Sequence, residues 1–108
     1  MQINLKGKNI ELTEAIKDHV LNKVTNLEKL LSGIEKRGGE ITINFEVGKS
    51  TKHHNKGDSV FHAHCLISTN GQEFYSSADE EDLYTAIDVV KESLFREISK
   101  NKDRRQTL

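Results

Sequence analysis

Arg96, Lys100 and Arg104 recur every four residues near the C-terminus of this chain, with Lys102 and Arg105 beside them. Cations at that spacing share one flank of a helix and offer several positive groups to one polyanion, phosphate above all. Upstream, His19, Asn22, Lys23 and Asn26 fall on one flank of a second helical pattern, and Lys29 follows them. There the lysines would hold phosphates, while Asn and His add hydrogen bonds to sugars and bases. Tyr84 and Phe95 are the aromatic candidates for stacking on exposed bases. Tyr84 has a polar hydroxyl beside the apolar stripe and fits either a helix–sheet contact or a partner contact, whereas Phe95 is expected at the margin of the core. The plainer alternative for the whole set is a solvated face with i to i+4 pairing.

Other chemistries find less support. The sequence holds no nucleophile elbow, phosphate loop or Ser-His-Asp context. Gly38-Gly39 precedes a strand pattern and reads as a turn rather than an anion nest. Asp79, Glu80, Glu81 and Asp82 stand where a helix begins, and the helix dipole explains them there. His53 and His54 lie on a polar loop, while His62 and His64 project from one strand face with Cys65 on the other. That spacing gives an incomplete zinc site at best. Cys65 reads as a small buried hydrophobe, with no cationic neighbour to activate it. The expectation is therefore a binding protein, with no enzyme activity, metal, cofactor or small-molecule substrate.

A chain of 108 residues makes one domain, 1–108, able to bury a modest core. No apolar run approaches the roughly 18 residues that cross a membrane, and the start lacks a signal-peptide pattern, so the expected location is the cytoplasm. The net charge is -1, whereas nucleic-acid binders usually carry a basic excess. Its distribution matters more. Between Gly71 and Val90 there are six acids and no Lys or Arg, while Ser99 to Leu108 carries four cations and one acid. A surface potential is set within a Debye length of roughly 8 Å, so a distant acidic region need not cancel a basic edge.

The elements that must position these groups follow from periodicity. Gln2–Lys6 alternates as a short strand ended by Gly7. Thr13 is an N-cap, and Ile16, Val20, Val24, Leu27 and Leu31 form one face of a helix ending near Ser32-Gly33. Ile41, Ile43, Phe45 and Val47 alternate as a half-buried strand, followed by a polar loop from Gly48 to Gly57. Phe61, Ala63, Cys65 and Ile67 mark a third strand, Asn70-Gly71 a hairpin turn, and Gln72–Ala78 a fourth strand. Leu83, Ile87, Val90, Leu94 and Ile98 place the apolar stripe of a last helix, expected to run from Asp79 to Leu108. The order β-α-β-β-β-α predicts an α+β two-layer sandwich: a four-stranded sheet with both helices on one face, and the first two strands parallel through a right-handed crossover.

The same residues carry a family resemblance. Asp82-Leu83-Tyr84-Thr85-Ala86-Ile87-Asp88, then Leu94-Phe95-Arg96 and Lys100-Asn101-Lys102-Asp103, resemble the second helix of the ribosome hibernation promoting factors and ribosome-associated inhibitors of the protein Y kind. Met1-Gln2-Ile3-Asn4-Leu5, Glu11-Leu12-Thr13-Glu14-Ala15-Ile16, Val20, Lys23 and Leu27-Glu28-Lys29 match in the same order. The resemblance covers almost the whole chain, and its length resembles the short form of that family. It implies a monomer that binds the small ribosomal subunit and its ribosomal RNA near the decoding site. There it would block messenger and transfer RNA and inhibit translation. The residues implied in RNA contact are His19, Lys23, Asn26, Lys29, Tyr84, Arg96, Lys100, Lys102, Arg104 and Arg105. A general double-stranded RNA-binding module acting off the ribosome is the alternative.

Overall fold

The computed structural model describes residues 1–36, 39–51, 59–69 and 71–106, with backbone alone for 34–36, 51, 59 and 102–106. Its elements are β1 (Gln2–Lys8), α1 (Glu14–Lys36), β2 (Thr42–Thr51), β3 (Ser59–Thr69), β4 (Gln72–Glu80) and α2 (Leu83–Gln106). The sheet order is β1-β2-β3-β4, with β1 and β2 parallel and the remaining pairs antiparallel.

Strict alternation sorts the sheet residues into rows. On one face Ile3, Ile43, Ile67 and Phe74 stand opposite one another across all four strands, and Leu5, Phe45, Cys65 and Ser76 form the next row. These rows meet the stripes Val20, Val24, Leu27 and Leu31 of α1 and Ile87, Val90, Leu94 and Ile98 of α2, all of them buried. Full burial of each such side chain is worth about 1.5–3 kcal/mol, so the stripes fix both helices to the same face of the sheet. The opposite face carries the rows Asn4, Asn44, Leu66 and Tyr75, then Lys6, Glu46, His64 and Ser77, then Lys8, Gly48, His62 and Asp79. No helix covers it.

Four boundaries differ from the sequence expectation. Gly7 does not end β1, which continues to Lys8 and turns at Asn9 with φ of 57°. Gly7 is needed for a close approach instead: a Cβ there would stand 3.0 Å from the Ile10 carbonyl oxygen and from Leu12 Cγ. Gly33 does not stop α1, which runs on to Lys36; its glycine disadvantage of about 1 kcal/mol is a local penalty that a packed 23-residue helix overrides. The expected loop is shorter, because Gly48–Thr51 pairs with Ser59–His62 as an extension of the β2–β3 hairpin. Finally, Asp79 and Glu80 do not open α2. They close β4, paired with His62 and Phe61. Gly71 takes φ of +72°, as the β3–β4 turn requires, while Asn70 lies outside the described residues.

Candidate nucleic-acid interface

Capping sets the position of both helices. Thr13 Oγ1 accepts the Ile16 amide at 3.2 Å to open α1. Asp82 does the same for α2, its carboxylate accepting both the amide and the hydroxyl of Thr85 at 2.9 Å. Of the four-residue acidic cluster, Asp82 is therefore the cap. The helices lie side by side and parallel, since His19 meets Tyr84 and Lys23, one turn later, meets Asp88, also one turn later.

The groove between them gathers three of the expected site residues around one that composition did not single out. The Asp88 carboxylate accepts from His19 Nε2 at 2.8 Å, and the Lys23 ammonium stands 3.4 Å from the same oxygen. The Tyr84 ring meets the His19 imidazole edge to face, with centroids 4.8 Å apart. Tyr84 is thus a helix–helix contact that keeps an exposed edge, rather than a contact to the sheet. A signal for Asp88 was present: it is a lone acid one turn after Tyr84, set between Ile87 and Val89.

The cationic ladder stands elsewhere. Arg96 and Lys100 follow Asp88 by eight and twelve residues, which turns them about 80° and 120° around α2, past the groove and onto the outward surface. Both are exposed, and neither forms an ion pair with another described residue. Asn26 and Lys29 are likewise exposed on α1. The groove and the ladder are therefore neighbouring parts of one outward helical surface, not two walls of one cleft. Lys102, Arg104 and Arg105 extend α2, and their side chains lie outside the described residues. Phe95 was expected at the core margin, yet it is exposed, with the Lys91 ammonium 5.0 Å from its ring centroid.

On the uncovered sheet face each described histidine has a carboxylate partner. His64 Nε2 bonds Glu46. His62 Nδ1 lies 2.6 Å from Asp79, and its Nε2 lies 2.7 Å from Ser50 Oγ. That Ser50–His62–Asp79 chain has the order of a hydrolase triad and was invisible in sequence, because its members meet only through strand register. Its environment is wrong for activating a nucleophile, since Asp79 is largely exposed and water screens it. Tyr75 on the same face is 58% exposed. Among the described residues no three potential ligands gather for a metal, and the paired His53 and His54 lie outside them. Burial pushes the Cys65 thiol up to about 12, so it stays protonated and unreactive.

Comparison with known proteins agrees with this architecture. The family pattern described as "Sigma 54 modulation protein / S30EA ribosomal protein" matches residues 3–106. The chain is 33% identical to a ribosome hibernation promoting factor of Escherichia coli over 104 residues, which is 96% of each chain. It is 30% identical to one of Pseudomonas putida, over 100% of this chain and 93% of that one. In three dimensions it matches the N-terminal domain of Thermus thermophilus protein Y with a TM-score of 0.71 and 24% identity, covering 93% of this chain and 98% of the other. A ribosomal subunit interface protein from Coxiella burnetii gives a TM-score of 0.73 at 16% identity, over 95% and 99% of the two chains. No helix among the described residues is long and apolar enough to cross a membrane.

Proposed function

This chain belongs to the sigma 54 modulation protein / S30EA ribosomal protein family, and on that premise we propose that it is a hibernation factor that holds the small ribosomal subunit inactive by occupancy. It is a ribosome-binding regulator and not an enzyme. It lies near the decoding site, where its bulk excludes messenger and transfer RNA. One copy suffices, because both helices of the contact surface come from a single chain. The observation that carries this reading is the outward surface of the two parallel helices. It presents Lys29, Arg96 and Lys100 without ion-pair partners among the described residues, and Lys102, Arg104 and Arg105 continue the same helix. Rigid cations spaced along two helices suit the phosphate ridges of A-form RNA, which proteins read by shape.

Co-sedimentation with purified small subunits tests it. The chain should pellet with the subunits, transfer RNA and messenger should compete for the site, and excess free duplex RNA should not. If free duplex displaced it as effectively as transfer RNA, the protein would be a general double-stranded RNA-binding module instead.

A further inference from the structure

We infer that Asp88 is the positioning residue of the RNA-binding surface, an acid that strengthens contact with a polyanion by fixing the two groups that make it. The inference rests on the ribosomal reading above and assigns the groove its part in it.

Electrostatics alone would make Asp88 a liability. It puts a half-exposed carboxylate on the surface that is to meet phosphates, in a chain whose net charge is already -1. The geometry points the other way. One oxygen, Oδ1, holds both His19 Nε2 at 2.8 Å and Lys23 Nζ at 3.4 Å. The side chains of His19 and Lys23 are each 26% exposed, so both are drawn into the groove instead of waving in solvent. A lysine held by an ion pair at 3.4 Å keeps its N–H donors for a phosphate oxygen, and it loses less rotamer freedom on binding than a free one would. A carboxylate can only accept, so the His19 Nε2 must carry the proton. In the neutral ring this leaves Nδ1 as an acceptor, the complement of a ribose 2′-hydroxyl. The Tyr84 ring, near-perpendicular to the imidazole with centroids 4.8 Å apart, gives His19 a second contact within the groove. Asp88 thus fixes one cation and one acceptor across two helices, which neither helix could do by itself.

The sign of one substitution decides the matter. Asp88→Asn removes a negative charge and keeps the shape, so simple repulsion predicts tighter binding to small subunits. Positioning predicts binding about three- to tenfold weaker, the net effect of about one ordinary hydrogen bond. It also predicts a salt slope smaller by about 0.7 to 1, because the Lys23 phosphate contact is lost. Asp88→Glu, which retains the carboxylate, should recover part of the loss. In a chain already carrying His19→Ala and Lys23→Ala, Asp88→Asn should weaken binding no further, whereas a purely structural role for Asp88 would add its full loss there. Asp88→Asn binding as tightly as the parent or tighter, or fully additive losses, would overturn the inference and leave the ribosomal reading standing. If the parent chain itself failed to bind small subunits, both would fall together.

Discussion

The two ends of the helix layer are built from the same residue classes and arrive at opposite electrostatic results. At the end where both helices begin, Thr13 and Asp82 cap the backbone, and Asp88 holds His19 and Lys23 within about three turns of the caps. At the end where both helices finish, Lys29, Arg96 and Lys100 are exposed and have no ion-pair partner among the described residues. Parallel packing makes this contrast additive. Both N-termini sit with the capping oxygens of Thr13 and Asp82, while Lys29, Arg96 and Lys100 stand more than a turn from the C-termini, so their charge polarises the molecule rather than stabilising the helix ends. Net charge therefore says little about partner class here; which charges are already paired says more.

The contrast exists only while the core holds the helices side by side, and the largest expected effect lies there. Leu27 and Leu94 are fully buried, one from each stripe. Replacing either by Ala should lower stability by about 2–5 kcal/mol in urea melts, the sum of lost transfer and a residual cavity. Exposed positions such as Lys29→Ala should stay within about 0.5 kcal/mol. If Leu27→Ala and Leu94→Ala were as mild as that, the helices would not be locked and the two-ended layer would dissolve.

The second effect concerns the finishing end. Arg96→Ala combined with Lys100→Ala should weaken small-subunit binding about tenfold, or ~1.4 kcal/mol. It should reduce the salt slope by about 0.7 to 1 for each phosphate contact removed, with melting unchanged. Inhibition of translation in vitro should fall in step. A double variant equal to the parent in affinity and slope would make this surface merely solvated and erase the functional half of the contrast.

How far the sequence reached follows the same division. Periodicity located every strand and both stripes, because one buried face per element leaves a period of two or 3.6 that nothing else imitates. It failed at ends, where pairing outside the element decides: Asp79 and Glu80 look like helix-opening acids until β3 claims them, and Gly33 looks like a stop until the packed helix runs past it. On the candidate surface, residue type and spacing single out the cations and His19. Only the parallel setting of α1 beside α2 reveals that Asp88 joins His19 to Lys23, and that the ladder stands outside the groove. The Ser50–His62–Asp79 chain is a still clearer case, since its members come from three strands and share no sequence pattern.

The smallest expected effects belong to the capping end and separate its two possible roles. Asp82 could matter as a hydrogen-bond acceptor for Thr85 or as a negative charge near the dipole. Asp82→Ala removes both and should destabilise by about 1 kcal/mol. Asp82→Asn keeps an oxygen that can accept from the Thr85 amide and hydroxyl, both now at 2.9 Å, and Asn ranks beside Asp as an N-cap, so its effect should be only a few tenths of a kcal/mol. Neither variant should change small-subunit affinity or the salt slope, because Asp82 is assigned to the cap, whereas His19 and Lys23 at the same end are assigned to RNA through Asp88. An Asp82→Asn chain that melted like the parent yet bound several-fold tighter would show that the Asp82 carboxylate itself faces the RNA. Cap and groove would then belong to one contact surface.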